Sequence, residues 1–180
     1  MGIHEEIIVA GFGGQGVLAM GRLMAYAGMI EGKNVSWLPS YGPEMRGGTA
    51  NCSVILSDDL VGCPVISRAT CLIAMNGPSL DKFEKAVAPG GKIIVNSSLI
   101  KRKVERTDVE AVYCPVSDTA LELGDVRGAN MIMLGAYIGL TGFPSQEKVK
   151  ESLIKVFGEG KKNLIPMNEA ALLKGMEMVK

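Results

Sequence analysis

The order of apolar and polar positions divides the chain into alternating strand and helix segments. Glu6–Ala10 reads E-I-I-V-A, a short buried strand, and a glycine-rich turn follows at once. From Val17 to Glu31 apolar residues recur at helical spacing: Val17, Leu18, Met20, Leu23, Met24, Ala27 and Ile30. Gly21, Ala25 and Gly28 form a small-residue face on this helix, which permits close approach to a sheet or a second helix. Gly32 is placed to end it. Strands are expected at 34–38, 49–56, 72–75, 92–95 and 111–116, with Pro39–Gly48 as a loop and Pro89-Gly90-Gly91 as a turn. Pro78 suits the first turn of a helix running to about Val87. The last third is predicted helical: a turn or more at 119–123, an apolar helix at 129–140 containing Gly135 and Gly139, a helix capped by Ser145, and a last one capped by Asn168. Strands alternating with helices predict an α/β class fold, three-layer α/β/α and Rossmann-like, with a mostly parallel sheet. Residues 1–180 are read as one domain with a helical C-terminal part.

Composition narrows the function. Hydrophobic residues make up 47% of the 180, enough for a sizeable core. Nineteen Lys plus Arg balance nineteen Asp plus Glu, so charge gives no reason to expect nucleic acid or an anionic membrane as partner. Apolar runs are broken well before the roughly 20 residues of a membrane span, and the N-terminus lacks the basic start of a signal peptide. A cytoplasmic location is the expectation. Cys52, Cys63, Cys71 and Cys114 form no C-x-x-C pair and have apolar neighbours, so all four are expected to be buried, reduced thiols and not metal ligands. His4, the only histidine, precedes the first strand and offers no catalytic pairing.

Two loops carry the candidate chemistry. Gly11-Phe12-Gly13-Gly14-Gln15-Gly16 matches G-x-G-x-x-G between a strand and a helix. In that pattern Gly11 allows the tight turn, Gly13 lets a ligand approach the backbone, Gly16 lets the helix start pack closely, and the free helix amides favour a phosphate. A nicotinamide dehydrogenase would place an acid at the end of the second strand. Here that strand ends Trp37-Leu38-Pro39-Ser40, and Gly14 and Gln15 depart from the usual apolar residues. A tight turn with no ligand is the plainer alternative. The second loop, Ser40-Tyr41-Gly42-Pro43-Glu44-Met45-Arg46-Gly47-Gly48, follows the second strand and is expected beside the first. Arg46 could bind phosphate or carboxylate, or pair with Glu44, while Tyr41 and Met45 suit an interface. No G-x-S-x-G, paired histidine or P-loop lysine is present, so no catalytic residue is assigned; the chain is equipped to bind.

Taken together, these loops, with Ala50-Asn51-Cys52, Asp58-Asp59 and Asn130–Gly135, resemble the γ subunit of 2-oxoacid:ferredoxin oxidoreductases over nearly the whole chain. The pattern is closer to the 2-oxoglutarate and branched-chain types than to the indolepyruvate type. The resemblance implies oxidative decarboxylation of a 2-oxoacid, with 2-oxoglutarate as first candidate and pyruvate within the range, to an acyl-coenzyme A with reduction of ferredoxin. It implies α and β partner subunits and a ferredoxin-like δ subunit, with thiamine diphosphate and iron–sulfur clusters in those partners. It also implies that Gly11, Gly13, Gly14, Gln15 and Gly16 face the coenzyme A diphosphate, with Tyr41, Glu44 and Arg46 near the same cleft or an interface. A purely structural assembly subunit and a stand-alone Rossmann-type nucleotide-binding protein remain the alternatives.

Overall fold

The structure, a computed structural model, describes residues 2–41 and 48–180. These residues form six strands, β1 (His4–Phe12), β2 (Asn34–Tyr41), β3 (Thr49–Ser57), β4 (Ala69–Ala74), β5 (Val87–Asn96) and β6 (Glu110–Cys114). Six α-helices accompany them: α1 (Val17–Ile30), α2 (Gly77–Phe83), α3 (Val116–Glu122), α4 (Ala129–Thr141), α5 (Gln146–Phe157) and α6 (Ile165–Glu177). The strands make one sheet in the order β2-β3-β1-β4-β5-β6. β1, β4, β5 and β6 are parallel, and β3 runs antiparallel to both β1 and β2. β2 therefore points the same way as β1, and the carboxyl ends of both lie on one edge of the sheet. The mostly parallel α/β fold expected from the sequence is present, with the antiparallel β3 as its one departure. Alternation in β3 buries Cys52, Val54 and Leu56 whichever way the strand runs, so hydrophobic pattern could not report its direction.

The two faces of the sheet are covered unequally. Ile7, Val9, Cys52, Val54, Cys71, Ile73 and Ile94 share a core with α1, α3, α4, α5 and α6. The other face, with Ile8, Ala10, Leu72, Ala74, Ile93 and Val95, is covered by Leu80 of α2 and by Ile100 and Val104 of the segment that follows β5. The third layer is thus one short helix and an extended segment.

Small residues fix the helix positions. A Cβ on Gly21 would strike Cys52 Sγ, and one on Gly28 would lie 2.6 Å from Leu56 Cδ2, so the small face of α1 seats directly on β3 as its sequence predicted. α1 ends where expected: Gly32 has φ +76°, its N–H bonds Met29 O, and Lys33 N–H bonds Gly28 O, the paired bonds of a Schellman stop. At the other end of the chain, a Cβ on Gly135 would collide with the Leu172 carbonyl, and one on Gly175 with the Ile132 carbonyl. α4 and α6 therefore touch backbone to backbone.

Several boundaries differ from expectation, and three of them have a clear local cause. β2 continues through Pro39 to Tyr41, which an edge strand tolerates because one row of its backbone groups has no ladder partner. Gly90, at φ +78°, makes its turn as an irregularity inside β5, where the β4–β5 register shifts. α6 starts at Ile165 with a proline in its first turn, because the 3₁₀ segment Glu159–Leu164 leads straight into it. Asn168 is then inside the helix, its Nδ2 donating to the Leu164 carbonyl at 2.8 Å.

An ionic clasp holds the segment after β5. Arg102 donates to Asp81 at 2.7 Å and to Glu84 at 2.8 Å. The other Glu84 oxygen accepts the backbone N–H groups of Glu105 and Arg106. Burial pushes the Glu84 carboxyl up, but the Arg102 hydrogen bond and the two backbone N–H groups outweigh it and hold the group below the usual carboxylate range.

Two outcomes follow for stability. Gly175→Val should destabilise the chain by about 3 kcal/mol or prevent folding, since overpacking against backbone cannot relax by a rotamer change; urea unfolding measures it. Glu84 has a lowered folded pKa, so its contribution is present above the unfolded value of about 4.3 and is lost as pH falls through the folded value. Glu84→Gln should cost about 2 kcal/mol at pH 7, and the variant should lose less further stability on acidification than the wild type.

Candidate functional site

The glycine loop joins β1 to α1, and each glycine in it has a distinct reason. Gly11 is buried; a Cβ there would lie 2.7 Å from both Gln15 Oε1 and Val17 Cγ2 and 3.0 Å from Met75 Cβ. Gly14 has φ +100° with open space around its Cβ direction, and Gly16 has φ +71° at the N-cap of α1. A Cβ on Gly16 would meet the Asn130 side chain, whose Nδ2 donates to the Gly16 carbonyl at 3.3 Å. Asn130, at the start of α4, thus braces the loop from behind.

Gln15 does not point outward. Its Oε1 accepts the Phe12 N–H at 2.7 Å and the Asn76 Nδ2 at 3.2 Å, and its Nε2 donates to the Met75 carbonyl at 3.3 Å. This position has topological weight. α1 leaves β1 towards one face of the sheet and α2 leaves the neighbouring β4 towards the other, so the crevice between these two strand ends is the switch point where α/β folds usually bind ligands. Here the Gln15 amide fills that crevice. Asn76 caps α2 through Ser79 N–H at 2.9 Å, and Asn96 donates to the same Met75 carbonyl at 3.2 Å, so the amide donors there are spent on the protein itself, while the buried Asn96 Oδ1 has no partner.

The open space lies on the other side of the loop. A cleft of about 280 Å³ is bounded by Phe12–Gly14, by Gly16–Ala19 and by Gly48–Ala50 at the entry to β3. The Gly13 N–H donates to the Gly48 carbonyl at 2.8 Å, which ties the end of the second loop to the first. The expected adjacency of the two loops is met at this described end. At the head of the cleft, α1 begins without a side-chain cap and without an acid in its first turn. The first α1 hydrogen bond is Met20 N–H to Gly16 O, so the amides of Val17, Leu18 and Ala19 have no partner within the helix. Those amides and the positive end of the helix dipole favour an anion.

Of the residues singled out in sequence, Gly13, Gly14 and Gly16 line the cleft, while Gly11 and Gln15 build it from behind. Gln15, expected to face a ligand, instead forms a half-buried bridge, its carbonyl and amide engaged by Phe12, Asn76 and Met75. Tyr41 is the last residue of β2, and Glu44 and Arg46 lie outside the described residues. No individual role in the site was assigned from sequence to Asn130, Asn76 or Gly48, although Gly48 lies in the second loop and Asn130 in the segment that carries the resemblance; the two asparagines stand at helix starts, a placement that in sequence reads only as capping.

The cysteines divide three to one. Cys52, Cys71 and Cys114 are buried, and burial pushes the Cys52 thiol up to about 12 and Cys114 up to about 11, far from reactive thiolates. Cys63 is exposed, against expectation, because the connection from β3 to β4 runs over the surface. Among the described residues no group of three or more His, Cys, Asp and Glu could hold a metal ion, and no helix is long and apolar enough to cross a membrane.

Comparison with known proteins gives this site its context. Residues 6–178 match the family described as pyruvate ferredoxin/flavodoxin oxidoreductase. The chain is 41% identical over 174 residues to ketoisovalerate oxidoreductase subunit VorA of Methanothermobacter thermautotrophicus; the match covers 96% of this chain and 36% of that protein. The chain therefore spans about a third of the length of that relative. It is 30% identical to 2-oxoglutarate synthase subunit KorC of Methanocaldococcus jannaschii, covering 99% of this chain and 95% of that one. Among solved structures, the γ subunit of a keto/oxoacid ferredoxin oxidoreductase from Geobacter sulfurreducens superposes with TM-score 0.81 at 29% identity, over 97% of this chain and 98% of that one. A 2-oxoglutarate:ferredoxin oxidoreductase from Magnetococcus marinus, with 2-oxoglutarate, coenzyme A and succinyl-CoA bound, superposes with TM-score 0.88 at 27% identity, over 98% of this chain and 31% of that one. With a family match over residues 6–178 and full-length likeness to a 2-oxoglutarate synthase subunit, the chain belongs to the pyruvate ferredoxin/flavodoxin oxidoreductase family.

Proposed function

We propose that this chain is the γ component of a multi-subunit 2-oxoacid:ferredoxin oxidoreductase and that it holds the diphosphate of coenzyme A at the start of α1. The observation that carries this reading is the uncapped helix start opening into the cleft beside Gly13 and Gly14. A diphosphate carries localised negative charge, and three convergent backbone amides at a helix N-terminus accept it without a basic side chain. Gly14 leaves room for the ligand to approach the backbone, and Arg46 of the second loop is proposed to pair with the same anion. The Magnetococcus enzyme, similar over nearly all of this chain, is one that binds coenzyme A.

The chain's own part is binding and orientation. Among the described residues no nucleophile–base pair borders the cleft, whose described lining is glycine, alanine, valine, leucine, threonine and phenylalanine. Among the described residues Cys52, Cys71 and Cys114 do not gather with other His, Cys, Asp or Glu into a group that could hold a metal ion, and thiamine diphosphate and iron–sulfur centres are proposed to lie in α, β and a ferredoxin-like δ partner. Thiamine diphosphate would supply the decarboxylation there, and the clusters would pass electrons to ferredoxin. The 2-oxoacid is proposed as 2-oxoglutarate, in line with the relative matched over its full length; the ketoisovalerate relative makes a branched-chain oxoacid the competing outcome. The complex is placed in the cytoplasm.

A stand-alone dinucleotide enzyme fits poorly, since Gln15 fills the usual crevice and β2 ends without an acid. A purely structural γ subunit would show assembly defects alone. Gly14→Val in the native complex should raise the KM for coenzyme A about tenfold, at a kcat close to wild type, as expected when uniform binding is lost. Arg46→Ala should act in the same direction. Normal assembly with an unchanged KM in both variants would leave the structural reading standing.

A further inference from the structure

We propose that a second groove, continuous with the glycine cleft, receives the adenosine 3′-phosphate end of coenzyme A, with Arg22 binding the 3′-phosphate and Trp37 lying against the base. This rests on the coenzyme A reading above. The groove has a volume of about 450 Å³ and is lined by Leu18, Ala19 and Arg22 of α1, Trp37 of β2, and Val156 and Phe157 at the end of α5. Leu18 and Ala19 also line the glycine cleft, so one surface of α1 floors both spaces. Arg22 lies four residues beyond Leu18, about 6 Å along the helix axis. A ligand anchored by its diphosphate at the helix start would therefore extend over the next turn into the groove.

The groove has the chemistry of a nucleotide bearing an extra phosphate. Arg22 donates from one terminal nitrogen to the Val156 carbonyl at 2.8 Å, which fixes its guanidinium between α1 and α5. Its Nε is buried without a partner, and among the described residues no carboxylate pairs with it. A positioned, half-buried guanidinium lacking an anion is a natural partner for a phosphate dianion. The indole N–H of Trp37 is turned beneath α1, where a Cβ on Gly21 would come within 3.2 Å of Nε1. Trp37 is half-buried against the core and also lines the groove, where an aromatic side chain can stack on a base. The uncharged pantetheine arm would leave Arg22 unpaired, which selects the nucleotide end.

Coenzyme A and 3′-dephospho-coenzyme A differ only in the phosphate assigned to Arg22. In the native complex, wild type should bind coenzyme A about 10- to 100-fold more tightly than the dephospho form, the range of one charge-assisted contact. Arg22→Met should bring the two ligands to near parity by weakening coenzyme A alone. Gly14→Val should weaken both ligands together, so its effect reports the diphosphate site separately. Trp37 is the single tryptophan of the chain. Its fluorescence in the full chain should change saturably with coenzyme A and stay constant with 4′-phosphopantetheine. Equal affinities in wild type, a preference retained in Arg22→Met, or a silent Trp37 would overturn the groove assignment and leave the diphosphate site intact. Failure of wild-type complex to bind either ligand would overturn both.

Discussion

A single glutamine side chain closes the crevice at which α/β folds usually accept a ligand. Gln15 spans the ends of β1 and β4, taking the Phe12 N–H on one side and giving to the Met75 carbonyl on the other. Each neutral hydrogen bond of this kind contributes only about 1 kcal/mol, but an unpaired buried backbone group costs about 1–3 kcal/mol, so removing the bridge would be felt at both strand ends. Gly11 exists in this context because a Cβ would occupy the place of the Gln15 amide. With the switch-point crevice filled, the open side of the loop among the described residues is the one facing β3. The antiparallel β3 supplies that wall, and the Gly13–Gly48 hydrogen bond sets its distance.

The rest of the molecule keeps this edge rigid. α1 is held close to the sheet by Gly21 and Gly28, which fixes the direction in which its free amides point. Asn130 reaches from α4 to the Gly16 carbonyl, and α4 is itself locked to α6 by backbone contact at Gly135 and Gly175. The helical C-terminal part thus supports the site without touching the cleft. On the opposite face the Arg102–Glu84 clasp does the same for α2 and the segment after β5.

Much of this was legible in sequence, and the gaps have physical causes. Strand and helix positions followed from periodicity, and the small face of α1 was visible as Gly21, Ala25 and Gly28. The glycine loop announced a strand–helix turn, but its sequence gave the outward role to Gln15. A polar side chain in such a loop reads as ligand-facing until its partners are known, and these partners, Met75 and Asn76, lie 60 and 61 residues away. The direction of β3 was equally hidden, since alternation is blind to it. Cys63 read as buried from its apolar neighbours, yet those neighbours, Leu60 and Val65 among them, are themselves exposed. Exposure there depends on the path of the chain and not on local composition.

The account stands or falls on whether the amides at the start of α1 bind the coenzyme A diphosphate. Hydrogen–deuterium exchange in the native complex reads those amides directly. The account predicts that saturating coenzyme A slows exchange in the segment spanning Gly13–Ala19, and that Gly14→Val abolishes the effect. Unchanged exchange in this segment, at a concentration that saturates turnover, would contradict it.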